Sequence, residues 1–484
     1  MPDVSDTANS LYRSLADELR SAIGDGRLAA GSRLPSVRET ARTRNVSINT
    51  VLAAYRQLEA RGQVEARPQS GYFVRSCLPE PTELAVSLAP VSVPAPQQAE
   101  AAVLDRIEAV LAAQSDPATV DLSLACPKSS DFYPDKALSR LVVDTARRKP
   151  ELLTDYSLPP GPLRLRREIC RHARDLGMTL QPENILLTNG CMEALQLALR
   201  GLTQPGDTVA IESPTYFNLI SLIEHLGLRA IEVPTHPHHG ISLDALELLL
   251  SEKRIQAIVT IPSVHNPLGT SMPVAHKRRL AALAQTWRVP VIEDALYAEL
   301  QYTTPLAPTV KSFDTDGWVV LCTSYTKTLA PGFRVGWMEA GRFQRGIAAL
   351  KFSASLAQPA FFGEVLGSFL ESGGYAQHLR RLRRVYAAQV DRLRGLINAH
   401  FPPGTRAAEP DGGFLLWVQL PDGCDANRLS DEALKHGVTV TPGSLFSPSG
   451  RHAGHIRLSA CHHFTERQVH ALLTLGGLVS NQVG

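Results

Sequence analysis

Behind the apolar run Val319–Cys322 the sequence reads Ser324-Tyr325-Thr326-Lys327, followed shortly by Pro331-Gly332-Phe333-Arg334-Val335-Gly336. A lysine set among hydroxyls can form an imine with an aldehyde, provided its surroundings lower its pKa, while Ser324, Thr326 and Arg334 bind a phosphate. Upstream, Ile292-Glu293-Asp294-Ala295-Leu296-Tyr297 puts Asp294 just past another apolar run. A carboxylate there can keep a pyridine nitrogen protonated, and Tyr297 can donate to a phenolate oxygen on the same ring. Asn266, in His265-Asn266-Pro267-Leu268-Gly269, can meet that oxygen too. Asn189-Gly190-Cys191-Met192 opens a helical segment whose first amides can hold phosphate. Tyr216, in Ser213-Pro214-Thr215-Tyr216, can stack on a ring. Each stretch alone also makes a good turn or cap. Six of them, each behind a predicted strand, read together as a site for a phosphorylated ring.

The elements that must position them are legible as well. Asn184–Leu187, Thr208–Ile211, Ala257–Ile261, Val289–Ile292 and Val319–Cys322 read as buried strands. Cys191–Arg200, Thr215–Leu226, Leu243–Lys253 and Val274–Trp287 read as helices between them. This alternation predicts an α/β fold with a mostly parallel sheet covered on both faces, which binds ligands at the carboxyl ends of its strands. After Gly374 a long amphipathic helix to about His400 leads into a smaller α/β portion ending near Leu478. No solenoid repeat is evident.

The first 76 residues differ in kind. They hold eleven Arg, no Lys and eight acids, a net of +3, whereas the remaining residues carry a net of −1. The whole-chain charge of +2 therefore hides a basic segment, densest from Arg33 to Arg61. Leu11, Leu15, Leu19 and Ile23 recur every four residues and predict a helix over 10–24. Ser36-Val37-Arg38-Glu39 is a capping box for a second helix ending near Arg44-Asn45. Ser47 caps a third, with Val51, Leu52, Tyr55 and Leu58 on its buried face. Gln63–Ala66 and Tyr72-Phe73-Val74, around a Pro/Gly turn, predict a hairpin. Three helices and a hairpin make a winged helix-turn-helix for double-stranded DNA. Ser47, Asn49, Thr50 and Arg56 would face the major groove, Arg33, Arg38 and Arg42 the phosphates, and the wing tip around Gly71 the minor groove.

From Cys77 to about Val120, prolines at 79, 81, 90, 94 and 96 predict an extended linker, with a short helix at Ala101–Ala113. The chain of 484 residues thus divides into 8–76, a linker at 77–120 and a body at 121–484 whose small portion begins near 375. With 44% apolar and 20% charged residues the composition is that of a globular protein. No apolar run is long enough to span a membrane, no secretory signal opens the sequence, and seven scattered cysteines fit a reducing cytosol. Cys461-His462-His463 and the histidines at 236, 238 and 239 lack a second cluster and read as loops rather than metal sites.

The run LPSVRETARTRNVSINTVLAAYRQLEARG, followed by QSGYFV, resembles the GntR family of bacterial transcription regulators. From about Asp121 onward the chain resembles fold-type-I pyridoxal-phosphate enzymes, specifically class-I aminotransferases. That resemblance implies Lys327 as the cofactor-binding lysine, Asp294 as the pyridinium partner, and Tyr297 with Asn266 as phenolate partners. It further implies a phosphate cup of Gly190, Cys191, Ser324, Thr326 and Arg334, with Tyr216 as the stacking ring. Arg457, in His455-Ile456-Arg457-Leu458-Ser459, matches the arginine that clamps a substrate carboxylate, and a planar fork suits that task. Tyr156, in Asp155-Tyr156-Ser157, matches a tyrosine that reaches the phosphate of a neighbouring subunit, which implies a homodimer. The three parts together resemble the MocR subfamily, described as GabR-like or PdxR-like regulators. The function so implied is a transcription factor whose body senses pyridoxal phosphate, or an amine or amino acid captured on it. A working aminotransferase with a DNA-binding appendage is the alternative. Cys191 and Met192 depart from the small or polar residues commoner at those positions.

Overall fold

The computed structural model describes residues 4–24, 27–29, 31–60, 63–67, 70–75, 78–82, 116, 118–123, 125–127 and 132–483. Most of the predicted linker, including the segment Ala101–Ala113, lies outside them.

The N-terminal module consists of α1 (Val4–Gly24), α2 (Val37–Arg44), α3 (Ile48–Ala60), β1 (Val64–Arg67) and β2 (Gly71–Val74). Ser36 caps α2 by accepting from the Glu39 amide, and α2 stops where Asn45 turns left-handed with its amide on the Ala41 carbonyl. Ser47 caps α3 by accepting from the Thr50 amide at 3.1 Å. The core is Leu15, Leu19, Leu34, Val51, Tyr55, Leu58 and Val74. Tyr55, fully buried, donates to the Pro35 carbonyl at 2.8 Å and so ties α3 to the entry of α2. Two apolar positions depart from expectation. Leu11, expected on the inner face of α1, is 49% exposed, and Leu52 is only partly buried. The periodic stripe is wider than this small core can cover.

The body is built on an eight-stranded sheet. Its members are β4 (Ile185–Thr188), β5 (Thr208–Ser213), β6 (Arg229–His236), β7 (Gly240–Ile241), β8 (Ala257–Thr260), β9 (Val291–Asp294), β10 (Val319–Ser324) and β11 (Gly336–Glu339). They lie side by side in the order β4-β11-β10-β9-β8-β5-β6-β7. The central run from β10 to β6 is parallel, while β11 and β7 run antiparallel to their neighbours. Full burial along β4, β8 and β9 reflects cover on both faces, as parallel sheets require. β6, β7 and β11 do not stand out along the sequence. Charged Arg229 and Glu232 and Pro234 break the apolar run of β6, and β11 opens at Gly336 inside a motif read for its chemistry.

A helix at Gly374–His400, the longest among the described residues, links this sheet to a smaller unit, as its amphipathic pattern predicts. That unit pairs β12 (Arg406–Ala407), β13 (Leu415–Gln419), β16 (His455–Ser459) and β15 (Thr441–Pro442) in an antiparallel sheet. A two-residue strand, β3 (Val120–Asp121), pairs parallel with β14 (Val438–Thr439) and brings the segment after the linker against the small unit.

Candidate functional site

All the parallel strands point the same way, so Thr188, Ser213, Thr260, Asp294 and Ser324 end at one edge of the sheet. The loops that follow them carry the sequence-predicted residues into one place.

Beside β4, Gly190 caps the helix Cys191–Leu202 with φ of 81°. A Cβ there would lie 2.6 Å from the Arg334 guanidinium, and one on Gly336 would lie 2.6 Å from the backbone of Gly190. Only glycine allows these two strand ends to come so close. The result is a cradle whose floor is backbone, at a helix N-terminus that favours anions. Arg334 itself is left-handed, with φ of 54°, and lies 3.5 Å from the Thr326 hydroxyl and the Asn189 carbonyl. The Thr326 amide donates to Ser324 Oγ at 3.3 Å. Gly190, Cys191, Ser324, Thr326 and Arg334 are therefore neighbours, with the helix amides left for an anion.

Asp294, buried at the end of β9, accepts from the Leu296 amide at 3.0 Å and from the Cys191 thiol at 3.5 Å. Burial pushes its carboxyl up to about 6, and the two hydrogen bonds oppose that shift. A buried carboxylate of this kind is matched by a cation, such as a protonated ring nitrogen, brought against it. Lys327 is lowered from the ordinary ammonium range by desolvation first, with Arg457 and Arg334 adding to the shift and Cys126 and Cys461 opposing it. Among the described residues no hydrogen bond or ion pair fixes its ammonium. Tyr297 and Tyr216 are held neutral by burial, Tyr216 up to about 12, and Asn218 donates to the Tyr216 hydroxyl at 2.9 Å.

Arg457, only 3% exposed, crosses from the small unit into this site. It donates to Asn266 Oδ1 at 3.2 Å, the Ser123 carbonyl at 2.8 Å and the Thr441 hydroxyl at 3.3 Å, and its Nε has no hydrogen-bond partner among the described residues. Phe446 and Phe217 flank the guanidinium. A buried guanidinium with neutral partners and a spare donor suits a carboxylate.

Ser123, Thr441, Phe217 and Phe446 escaped the sequence reading. So did Tyr133, whose hydroxyl donates to the Thr326 carbonyl at 3.4 Å, and the thiols of Cys126 and Cys461 near Lys327. Burial pushes Cys461 up to about 12. Ser123 and Cys126 follow β3, a two-residue strand too short to show as a periodic pattern. Tyr156 is 81% exposed and lines a surface hollow with Lys149, Glu151 and Arg164.

In the N-terminal module Arg33, Arg38, Arg42, Asn49 and Arg56 are all exposed, and Thr50 is partly so. The Arg33 side chain lies beside Gly71, where a Cβ would come within 3.3 Å of its Nε. Ser36 and Ser47 spend their hydroxyls first on helix caps. Among the described residues no group of His, Cys, Asp and Glu is arranged to hold a metal ion, and no helix is long and apolar enough to cross a membrane.

Fold and site together define a pyridoxal-phosphate-binding body of fold type I joined to a winged helix-turn-helix module. Residues 130–474 match the family of class I and II aminotransferases, and residues 11–74 match the gntR family of bacterial regulatory proteins. The chain belongs to the proteins that fuse a gntR-type DNA-binding domain to a class I and II aminotransferase domain. It is 34% identical to the HTH-type transcriptional regulator YjiR of Escherichia coli over 468 residues, 97% of this chain and 98% of that one. The regulator YdcR of the same organism is 34% identical over 472 residues, covering 98% and 99%. Among solved structures, the α-aminoadipate aminotransferase LysN of Thermus thermophilus superposes with a TM-score of 0.72 at 26% identity. The overlap covers 78% of this chain and 95% of LysN, which was solved with N-(5'-phosphopyridoxyl)-L-leucine. The cofactor of the body is pyridoxal 5'-phosphate.

Proposed function

We propose that the protein is a homodimeric cytoplasmic transcription regulator. Its N-terminal domain, about 8–76, reads a double-stranded operator, and a linker over 77–120 joins it to a sensing body at 121–484. The observation that carries this reading is the convergence of a buried carboxylate, a desolvated lysine, a glycine-walled anion cradle and a buried arginine at one sheet edge, in a chain whose first 76 residues are basic.

When bound, pyridoxal phosphate supplies an electrophilic carbon and a ring that withdraws electrons. The residues of the chain do the rest. Gly190, Cys191, Ser324, Thr326 and Arg334 hold the phosphate, and Asp294 keeps the ring nitrogen protonated. Tyr297 and Asn266 meet the phenolate oxygen, and Tyr216 covers the ring. Lys327, with its pKa lowered, would present a neutral Nζ to the electrophilic carbon of the cofactor. Arg457 takes the carboxylate of an amino-acid effector and would exchange Asn266 or Thr441 contacts for it. Exposed Tyr156 fits a reach into the site of a second copy.

In the reader, Asn49, Thr50 and Arg56 meet base edges together with Ser47, while Arg33, Ser36, Arg38 and Arg42 hold backbone phosphates and Gly71 lets the wing approach the minor groove. Ligand exchange at Lys327 must change the relative stability of two arrangements of body and reader for DNA binding to respond.

The second reading is a working aminotransferase carrying a DNA-binding domain. Its support is that Asn266, Asp294, Tyr297, Lys327 and Arg457 are all present. The two separate on turnover. A sensor accumulates the captured amine with at most a half-reaction, whereas an enzyme converts keto acid to amino acid for many cycles at rates of about 1–1000 per second.

A further inference from the structure

No hydrogen bond or ion pair among the described residues reaches the Lys327 ammonium, so its place is set by the backbone that carries it. That backbone is a tight turn, in which the Leu329 and Ala330 amides donate to the Tyr325 carbonyl at 3.0 and 2.9 Å. On the upstream side Thr326 is held by Ser324 Oγ and the Tyr133 hydroxyl. On the downstream side Thr328, 1% exposed, is held twice from the helix Gly374–His400. His378 Nε2 donates to the Thr328 carbonyl at 2.7 Å, and the Tyr375 hydroxyl lies 3.0 Å from Thr328 Oγ1. Tyr375 and His378 stand three apart in that helix and so share a face.

The Tyr375 hydroxyl also ends a second arm. It donates to Glu299 Oε2 at 2.6 Å, the length of a charge-assisted bond. Glu299 lies in the short turn Ala298–Leu300, directly behind Tyr297, and the Leu300 amide closes that turn on the Tyr297 carbonyl at 2.8 Å. The Glu299 carbonyl accepts from Arg383 Nε of the same helix at 2.7 Å. One fully buried phenol therefore bridges the loop that presents Tyr297 and the loop that presents Lys327.

Packing alone does not require this bridge. The same helix buries Tyr386 just as completely, against Phe132, and the Tyr386 hydroxyl has no hydrogen-bond partner among the described residues. A tyrosine can thus fill the core of this helix without tying anything to it. At Tyr375 the hydroxyl has two partners, and each belongs to a loop of the site.

We propose that Tyr375 and Glu299 are positioning residues that fix the separation of Lys327 from Tyr297, and so set how the amine and the phenol meet one cofactor. Misplacement by about 1 Å at such a site costs on the order of 100-fold in a reaction, which is why an unanchored lysine needs an anchored turn. The inference rests on the reading of Lys327 and Tyr297 as cofactor partners.

The test uses the full-length protein with pyridoxal phosphate bound. Two quantities are read, the pH midpoint of the visible cofactor band and the affinity for pyridoxal phosphate. Tyr375→Phe removes the bridge, and should move the midpoint by about 0.5 pH unit or more and weaken the cofactor at least fivefold. It also leaves Glu299 unpaired, so folding stability falls as well. Tyr375→Phe combined with Glu299→Met is apolar on both sides of the lost bond, so its melting temperature should return toward wild type while the midpoint stays displaced. Tyr386→Phe removes an unpaired hydroxyl and should leave the midpoint where it is. If Tyr375→Phe alone does not fold, the double variant carries the test. An unchanged midpoint without the bridge, a midpoint that returns together with stability in the double variant, or an equal displacement in Tyr386→Phe would each overturn the proposal. Lys327→Ala in parallel separates the two levels. If it keeps the cofactor band, the reading of Lys327 falls and the proposal with it. If it loses the band while the Tyr375 variants match wild type, only the positioning role falls.

Discussion

The Cys191 thiol donates to Asp294 Oδ1 across 3.5 Å, joining the first residue of the helix behind Gly190 to the carboxylate at the end of β9. Both groups are buried, and Oδ1 also accepts from the Leu296 amide. The bond favours the ionised carboxylate, against a burial that raises its pKa to about 6. Cys191→Ala should therefore move the Asp294-linked transition to higher pH, and Cys191→Ser should restore it. A spectrophotometric pH titration of the cofactor-bound protein reads the midpoint. An identical midpoint in wild type and Cys191→Ala would show that the thiol does not tune the carboxylate.

The same carboxylate sets a stability dependence. Its folded pKa is raised, so the folded state binds more protons than the unfolded one between about 4 and about 6. Stability from this group therefore falls as pH rises through that window, and above it the buried charge costs on the order of 3 kcal/mol without a cation beside it. Asp294→Asn should leave the cofactor-free protein at least as stable at pH 8. It should also shrink the thermal stabilisation conferred by pyridoxal phosphate. Thermal melts with and without cofactor check both halves, and an equal gain on cofactor binding in the two proteins would contradict the pyridinium assignment.

Gly336→Ala places a methyl group 2.6 Å from the Gly190 backbone, where no flexible side chain can yield. The cradle must open, so cofactor affinity should fall by at least tenfold while the distant N-terminal module is unaffected. Cofactor affinity from fluorescence quenching, beside DNA affinity from a shift assay, reads the two separately. Unchanged cofactor affinity would mean that the cradle does not hold the phosphate.

Arg38→Ala and Arg56→Ala should weaken DNA binding without altering cofactor content, because both side chains are exposed on the reader. Arg38, assigned to phosphate, should also reduce the salt slope by about one, while Arg56 should relax sequence preference. Ser47→Ala should act differently. It removes the cap at the start of α3 and should cost about 1 kcal/mol of module stability. Shift assays over a salt series and a melt of each variant distinguish these outcomes.

Much of this site could be read along the chain because each motif lies beside its own strand. Asp294 ends β9, Ser324 ends β10, and Gly190 caps a helix, so local pattern and position coincide. The helix Gly374–His400 was legible because its amphipathic period runs unbroken between Gly374 and His400. What stayed hidden are contacts between distant segments. Cys191 and Asp294 are 103 residues apart, and Arg457 and Asn266 are 191 apart. Neither pairing follows from spacing, since both depend on how the sheet orders its strands and on where the small unit docks. The buried acids Glu212 and Glu232 were missed for the same reason. Glu212 accepts from Thr260 and the Ile261 amide, and Glu232 accepts from Ser213 and Ser447, partners up to 215 residues away.

In the proposed regulator, effector capture at Lys327 and Arg457 acts on a DNA reader nearly 400 residues upstream, and that coupling can be measured in one titration. Amines and amino acids are added to the cofactor-bound protein while the cofactor spectrum and the affinity for operator DNA are followed in parallel, in wild type and in Lys327→Ala. The compounds that shift the spectrum are expected also to change operator affinity, without sustained turnover, and Lys327→Ala is expected to lose both responses. Sustained conversion of keto acid at ordinary enzyme rates, with operator affinity unchanged at every ligand concentration, would contradict it.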